Sequence, residues 1–123
     1  MKIAIATDDG KTIASHFGRA KGFTIFTIDG STITNKEYRI NNFTGHALEL
    51  EHSDHNIDRH EPILRALNDC NTVISHGMGR RIYNDLRNAG IQSLITDETR
   101  VKSAMKAFIE GTLQDIPERG CSH

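Results

Sequence analysis

Apolar and polar positions alternate through the first forty residues and then switch to helical spacing in the second half of the chain. Lys2–Thr7 puts Ile3 and Ile5 on one face and reads as a strand, stopped by the turn signal Asp8-Asp9-Gly10. Lys11–Ala20 keeps no sustained period and reads as a loop with room for one helical turn. Phe23–Ile28 is strongly β-forming, Asp29-Gly30 is a hairpin turn, and Thr32–Ile40 is the returning strand. Pro62 suits the first turn of a helix that runs to about Asn68, with Ile63, Leu64 and Leu67 at core spacing. Thr72–Ser75 is a short β-branched run, the mark of a buried strand. Ile82, Leu86 and Ala89 form the stripe of a second helix, which Gly90 ends. Ile91–Thr96 is a fifth strand. Asp97 is placed to cap a third helix, whose Val101, Ala104, Met105, Phe108 and Ile109 follow an i, i+3, i+4 pattern up to Gly111.

The element order is therefore βββαβαβα, an α/β pattern with three helices. A meander followed by a right-handed parallel crossover predicts a mixed five-stranded sheet in the order 3-2-1-4-5, as in ribonuclease H-like folds. In that order strands 1 and 4 are parallel neighbours whose connections depart in opposite directions. The carboxyl ends of such strands open a crevice. Thr7-Asp8-Asp9, the Ser15–Ala20 loop and Ser75-His76-Gly77 all fall there, so His16 and His76 can approach although distant in sequence. The expected organisation is one domain over 1–113, carrying a loop at 41–61, with a tail at 114–123.

Composition narrows the function classes. The 123 residues are 37% hydrophobic and 25% charged, as in a soluble globular domain. A net charge of -1 does not suggest a nucleic-acid partner. No apolar run approaches the ~20 residues of a membrane span, and Asp8 and Asp9 cut short any secretory h-region, so a cytoplasmic protein is expected. Cys70 and Cys121 make no CxxC pair, which excludes a zinc ribbon or thioredoxin motif. Cys70 ends an apolar helical pattern and reads as a buried thiol.

The candidate chemistry centres on Thr72–Arg81. A strand that turns through His76-Gly77-Met78-Gly79 into a helix leaves unpaired N–H groups and the positive end of the helix dipole at one point. Arg80 and Arg81 follow, and the turn can hold an anion. It lacks the third glycine of a dinucleotide site and the lysine–hydroxyl pair of a P-loop.

Ser15-His16-Phe17-Gly18-Arg19-Ala20 resembles the HFG-x-A signature of the dinitrogenase iron–molybdenum cofactor biosynthesis family, which includes NifX, NafY, the C-terminal part of NifB and small stand-alone members. The similarity continues through His76-Gly77-Met78-Gly79, Leu86, Ala89-Gly90-Ile91 and the Val101–Gly111 helix, roughly Met1 to Leu113. The resemblance implies a ribonuclease H-like fold and non-enzymatic binding or carriage of an iron–sulfur or molybdenum-containing metal–sulfide cluster, exchanged with donor or acceptor proteins. It makes His16 the first candidate ligand. Phe17, Gly18 and Arg19 lie beside it, and His76, Gly77, Met78, Gly79 and Arg80 form the facing wall.

Two further metal-binding features stand outside that motif. His46, His52, His55 and His60 lie in the 41–61 loop among Asp54 and Asp58, a set suited to zinc or nickel storage although its spacing matches no zinc signature. Cys121 and His123 offer a soft pair in the tail. A ribonuclease H-like nuclease is a weaker reading. Two-metal chemistry needs several carboxylates about one centre, and strand 4 is followed by Ser75-His76 rather than an acid.

Overall fold

Lys2–Thr7 forms β1, the central strand of the sheet, and its last five residues are buried. The structure, a computed structural model, describes residues 1–17, 20–41 and 61–115, with the backbone alone at 61–63. β2 (Gly22–Asp29) and β3 (Thr32–Ile40) complete an antiparallel meander with β1. β4 (Thr72–Ser75) lies parallel to β1 on its other side, and β5 (Gln92–Ile95) lies parallel to β4. The order is β3-β2-β1-β4-β5, as the element pattern predicts. The helices are α1 (Glu61–Ala66), α2 (Arg80–Asn88) and α3 (Val101–Glu110). None of them is long and apolar enough to cross a membrane.

Because neighbouring side chains of a strand point to opposite faces, β1 feeds two cores. Ala4 and Ala6 join Phe17, Phe23, Ile25 and Val73 on the face covered by Leu67 and by Ile82 and Leu86 of α2. The small alanines leave room for the Phe17 and Phe23 rings, whose centroids are 5.2 Å apart. Ile3 and Ile5 join Phe26, Ile28, Ile74 and Leu94 on the other face, beneath Val101, Ala104 and Met105 of α3. β3 is one of the two edge strands, with eight of its nine residues exposed and Arg39 half-buried.

The structure moves several boundaries, among them the end of α1, at Ala66 rather than Asn68. The hairpin turn is Gly30-Ser31 rather than Asp29-Gly30, since Asp29 still pairs with Thr32. Gly30 at φ 63° supplies the left-handed first position of the turn. β5 is shorter than Ile91–Thr96 by one residue at each end. Asp97 does not cap α3, whose N-cap is Arg100 without a side-chain cap. Residues 99–101 are drawn instead into pairing with residues 11–13. Ile13 N–H donates to Thr99 O at 2.9 Å and Val101 N–H to Lys11 O at 2.9 Å, and Thr12 bridges Arg100. Those long-range bonds hold the segment extended and delay the helix.

Candidate functional site

Three loops meet at the carboxyl ends of β1, β4 and β5. The first is built on local polar chemistry. Thr7 Oγ1 donates to Thr12 O and accepts the Gly10 N–H at 2.9 Å. The Asp9 carboxylate accepts the N–H groups of Lys11 and Thr12, each at 2.8 Å, and the Thr12 hydroxyl at 2.9 Å. These donors hold its pKa well below the usual carboxylate range, with the two backbone bonds leading. Asp8 accepts the Lys21 N–H at 2.8 Å. Both acids therefore staple the loop. Sequence reading assigns them no such role, although an Asp two and three residues ahead of free N–H groups is an Asx-turn signal.

The second loop is the turn after β4, and it is joined directly to the first. Phe17 N–H donates to Gly77 O at 2.7 Å, so the His16 segment and the His76-Gly77 turn are adjacent backbones. His16 is half-buried, Phe17 and Met78 are fully buried in the core beneath the turn, and Gly77 is buried. Gly18 and Arg19 lie outside the described residues, as do His46, His52, His55, His60, Cys121 and His123.

His76 faces the third loop. Its Nε2–H donates to the carbonyl of Glu98, a contact that sequence reading could not supply because the partner is a backbone atom. A carbonyl accepts only, so the neutral ring carries its proton on Nε2 and keeps the Nδ1 lone pair. Just before it, Ser75 Oγ is buried without a hydrogen-bond partner among the described residues, as are Thr24 Oγ1 and Ser93 Oγ elsewhere in the sheet. Among the described residues, no group of three or more His, Cys, Asp or Glu side chains could hold a metal ion. Cys70 is buried in the core beneath β4 and α2. Burial, with the Asp69 carboxylate beside it, pushes its thiol up to about 12.

The helix that opens at this turn has an unusual electrostatic start. Gly79 is the N-cap of α2, with no side-chain cap bond and no acid in the first turn. Among the described residues, an added Cβ at Gly79 would meet nothing within 4 Å. Arg80 and Arg81 are exposed and, among the described residues, in no ion pair. Cations at a helix N-terminus oppose the dipole, at a cost of typically ~0.3–1 kcal/mol each when exposed. An anion seated there would reverse the sign of that interaction.

Together these features define a small α/β domain with an anion-compatible turn at the divergence of two parallel strands. The sequence pattern of the dinitrogenase iron–molybdenum cofactor family matches residues 1–111, and the chain belongs to that family. An uncharacterised protein of Methanocaldococcus jannaschii is 29% identical over 114 residues, covering 93% of this chain and 90% of the relative. The crystal structure of the protein PH0822 is similar with a TM-score of 0.74 at 25% identity, over 94% of each chain. The apo form of the orange protein from Desulfovibrio gigas shares the fold, with a TM-score of 0.69 at 22% identity, over 94% of this chain and 92% of that one.

Proposed function

We propose that the chain binds or carries an iron–sulfur or molybdenum-containing metal–sulfide cluster as cargo, without catalysing a reaction, and exchanges it with donor and acceptor proteins of metallocofactor assembly. Membership of the family supports the cofactor class. The observation that carries the reading is the uncapped start of α2, with Arg80 and Arg81 in its first turn, hydrogen-bonded through Gly77 to the His16 segment. A cluster with an anionic sulfide shell fits such a site. Backbone N–H groups and guanidinium groups neutralise its charge, and the lone pair on His76 Nδ1 is available to a metal. In this reading the cluster is held largely by charge and hydrogen bonds, since among the described residues no three His, Cys, Asp or Glu side chains converge. His16 is the principal ligand on the facing side, with Gly18 and Arg19 assigned there from the motif alone.

The same reading takes the β3-β2-β1-β4-β5 order as ribonuclease H-like by descent of the fold rather than of the chemistry. Nuclease activity is not favoured, because Asp8 and Asp9 each give one oxygen to the loop backbone and β4 is followed by His76 rather than an acid. Storage of zinc or nickel by the His46, His52, His55 and His60 loop remains a separate hypothesis on residues outside the described ones.

The test is anaerobic reconstitution with iron, sulfide and molybdate, or with copper and tetrathiomolybdate, followed by gel filtration. A visible chromophore should travel with the protein and be lost in the His16→Ala variant and in the Arg80→Glu/Arg81→Glu variant. It should persist when the four loop histidines are replaced by alanine. Absence of any retained chromophore sinks the proposal, and loss only in the loop variant transfers the metal to the loop.

A further inference from the structure

Among the described residues the two faces of the sheet are covered unequally, and a groove lies open beside α3. A five-stranded sheet is about 19 Å across, wide enough for two helices each about 10 Å in diameter. Among the described residues, one face has α1 and α2, whereas the other has α3. Beside α3, over β2 and β3, lies a groove of about 770 Å³. Its apolar side consists of Phe26, Val101 and Met105 at the bottom, with Ile109 half-buried and Ile33 44% exposed on the walls.

The rim is cationic. Lys11, Lys36, Arg100, Lys102 and Lys106 line the groove, against the single carboxylate of Glu110. Five of the 15 Lys and Arg side chains of a chain with net charge -1 are thus gathered around one apolar floor. All five are exposed and, among the described residues, none is in an ion pair. Lys36 Nζ stands 5.7 Å from the centroid of the Phe26 ring, so the charge lies directly above the floor.

We propose that this groove docks an acidic amphipathic helix of a partner protein, which would lie alongside α3 as a second helix on this face. The trough follows α3 from Arg100 to Glu110, a length of about 15 Å at helical rise. The apolar floor beneath a cationic rim matches a helix that carries an apolar stripe flanked by acidic side chains. A second copy of this chain is disfavoured, because a two-fold contact would set one cationic rim against another. Single-stranded nucleic acid is also disfavoured. The aromatic ring in the floor, Phe26, is only 6% exposed and offers no stacking platform.

The experiment titrates the full-length, isotope-labelled chain with a synthetic helical peptide that has a leucine stripe and a Glu/Asp face, followed by NMR shift changes. Controls are the scrambled peptide, oligothymidylate and octanoate. The expected result is saturable binding, weakened by salt, with shifts centred on Ile33, Lys36, Met105 and Ile109. Binding should be about tenfold weaker for the scrambled peptide and for the Lys36→Glu/Lys102→Glu/Lys106→Glu variant. Ile33→Asp, at a largely exposed position, provides a second variant should the triple one fold poorly, and it should weaken binding comparably. The proposal fails if no saturable shifts appear at these residues, or if both folded variants bind normally. It also fails if a control ligand binds as tightly, or if the groove titrates only with concentration-dependent self-association. None of these outcomes depends on cluster retention at the Gly77 turn.

Discussion

The two faces of the sheet share β1 yet solve burial differently. On one, Phe17, Phe23, Leu67, Ile82 and Leu86 close over alanines, and the edge is tied down by charge. Arg39 reaches from β3 to donate to Ala66 O at 2.7 Å, to both oxygens of Asp69 at 2.9 Å, and to Glu37 at 2.7 Å. Lys2 adds a bond to Asp69 at 3.0 Å. On the other face, among the described residues, α3 leaves Ile33 at the surface and the rim cations without an ion pair. The lesson is that the sealed face is organised for stability and for holding the Gly77 turn in place, while the open face keeps apolar area and charge available for another molecule.

Breaking the sealed face should have the largest effect. Leu86 is fully buried between α2 and the sheet, and Leu86→Ala should cost about 3 kcal/mol in denaturant unfolding. The same experiment on half-buried Ile109, beside the groove, should cost about 1 kcal/mol. Equal losses would mean that the faces do not differ as described. Gly22→Ala comes next. A Cβ there would stand 2.4 Å from the Tyr38 ring and 2.6 Å from the Arg39 carbonyl, and the carbonyl cannot rotate aside. The expected penalty is about 2 kcal/mol, and an unchanged melting temperature would show that β3 is freer to shift than its pairing suggests.

A smaller effect is expected from the charge strap, which is partly solvated. Arg39→Ala should cost about 1 kcal/mol. The guanidinium hydrogen bonds hold the Asp69 pKa below the usual carboxylate range, despite an opposing contribution from burial. A depressed folded pKa contributes stability above the unfolded value of about 4, lost as pH falls through the folded one. Acid unfolding should therefore weaken in pH dependence in Asp69→Asn below about pH 4, measured by circular dichroism. The smallest effect should come from the open face. Neutralising Lys102 and Lys106 with glutamine should leave stability unchanged or raise it by roughly 0.3 kcal/mol, since like charges at i, i+4 repel. A clear loss of stability would mean that these lysines have structural partners.

What the sequence made legible follows the range of the interactions involved. The order of the sheet follows from alternation, turn residues and the handedness of crossovers, all local or general. The convergence of the His16 and His76 segments follows from that order, and the Phe17–Gly77 bond is its physical expression. The beginning of α3 was not legible, because Asp97 has the chemistry of a cap while bonds from residues 11 and 13 decide the backbone. The groove was less so. Lys11, Lys36, Arg100 and Lys106 come from separate loops, a strand and a helix, and no linear motif registers their meeting.

β1 has a temporal consequence as well. Its antiparallel partner β2 follows within one loop, but its parallel partner arrives only with the Ile3–Thr72 register, roughly seventy residues later. During synthesis the hairpin-linked strands are complete while the far edge of β1 is still bare. Edges of that kind invite pairing with other chains. The slow, sequence-distant closure of β4 onto β1 is therefore the step at which nascent molecules are exposed to misassembly. It is also the step that creates the crevice, since no carboxyl-end cleft exists until both parallel strands are in place.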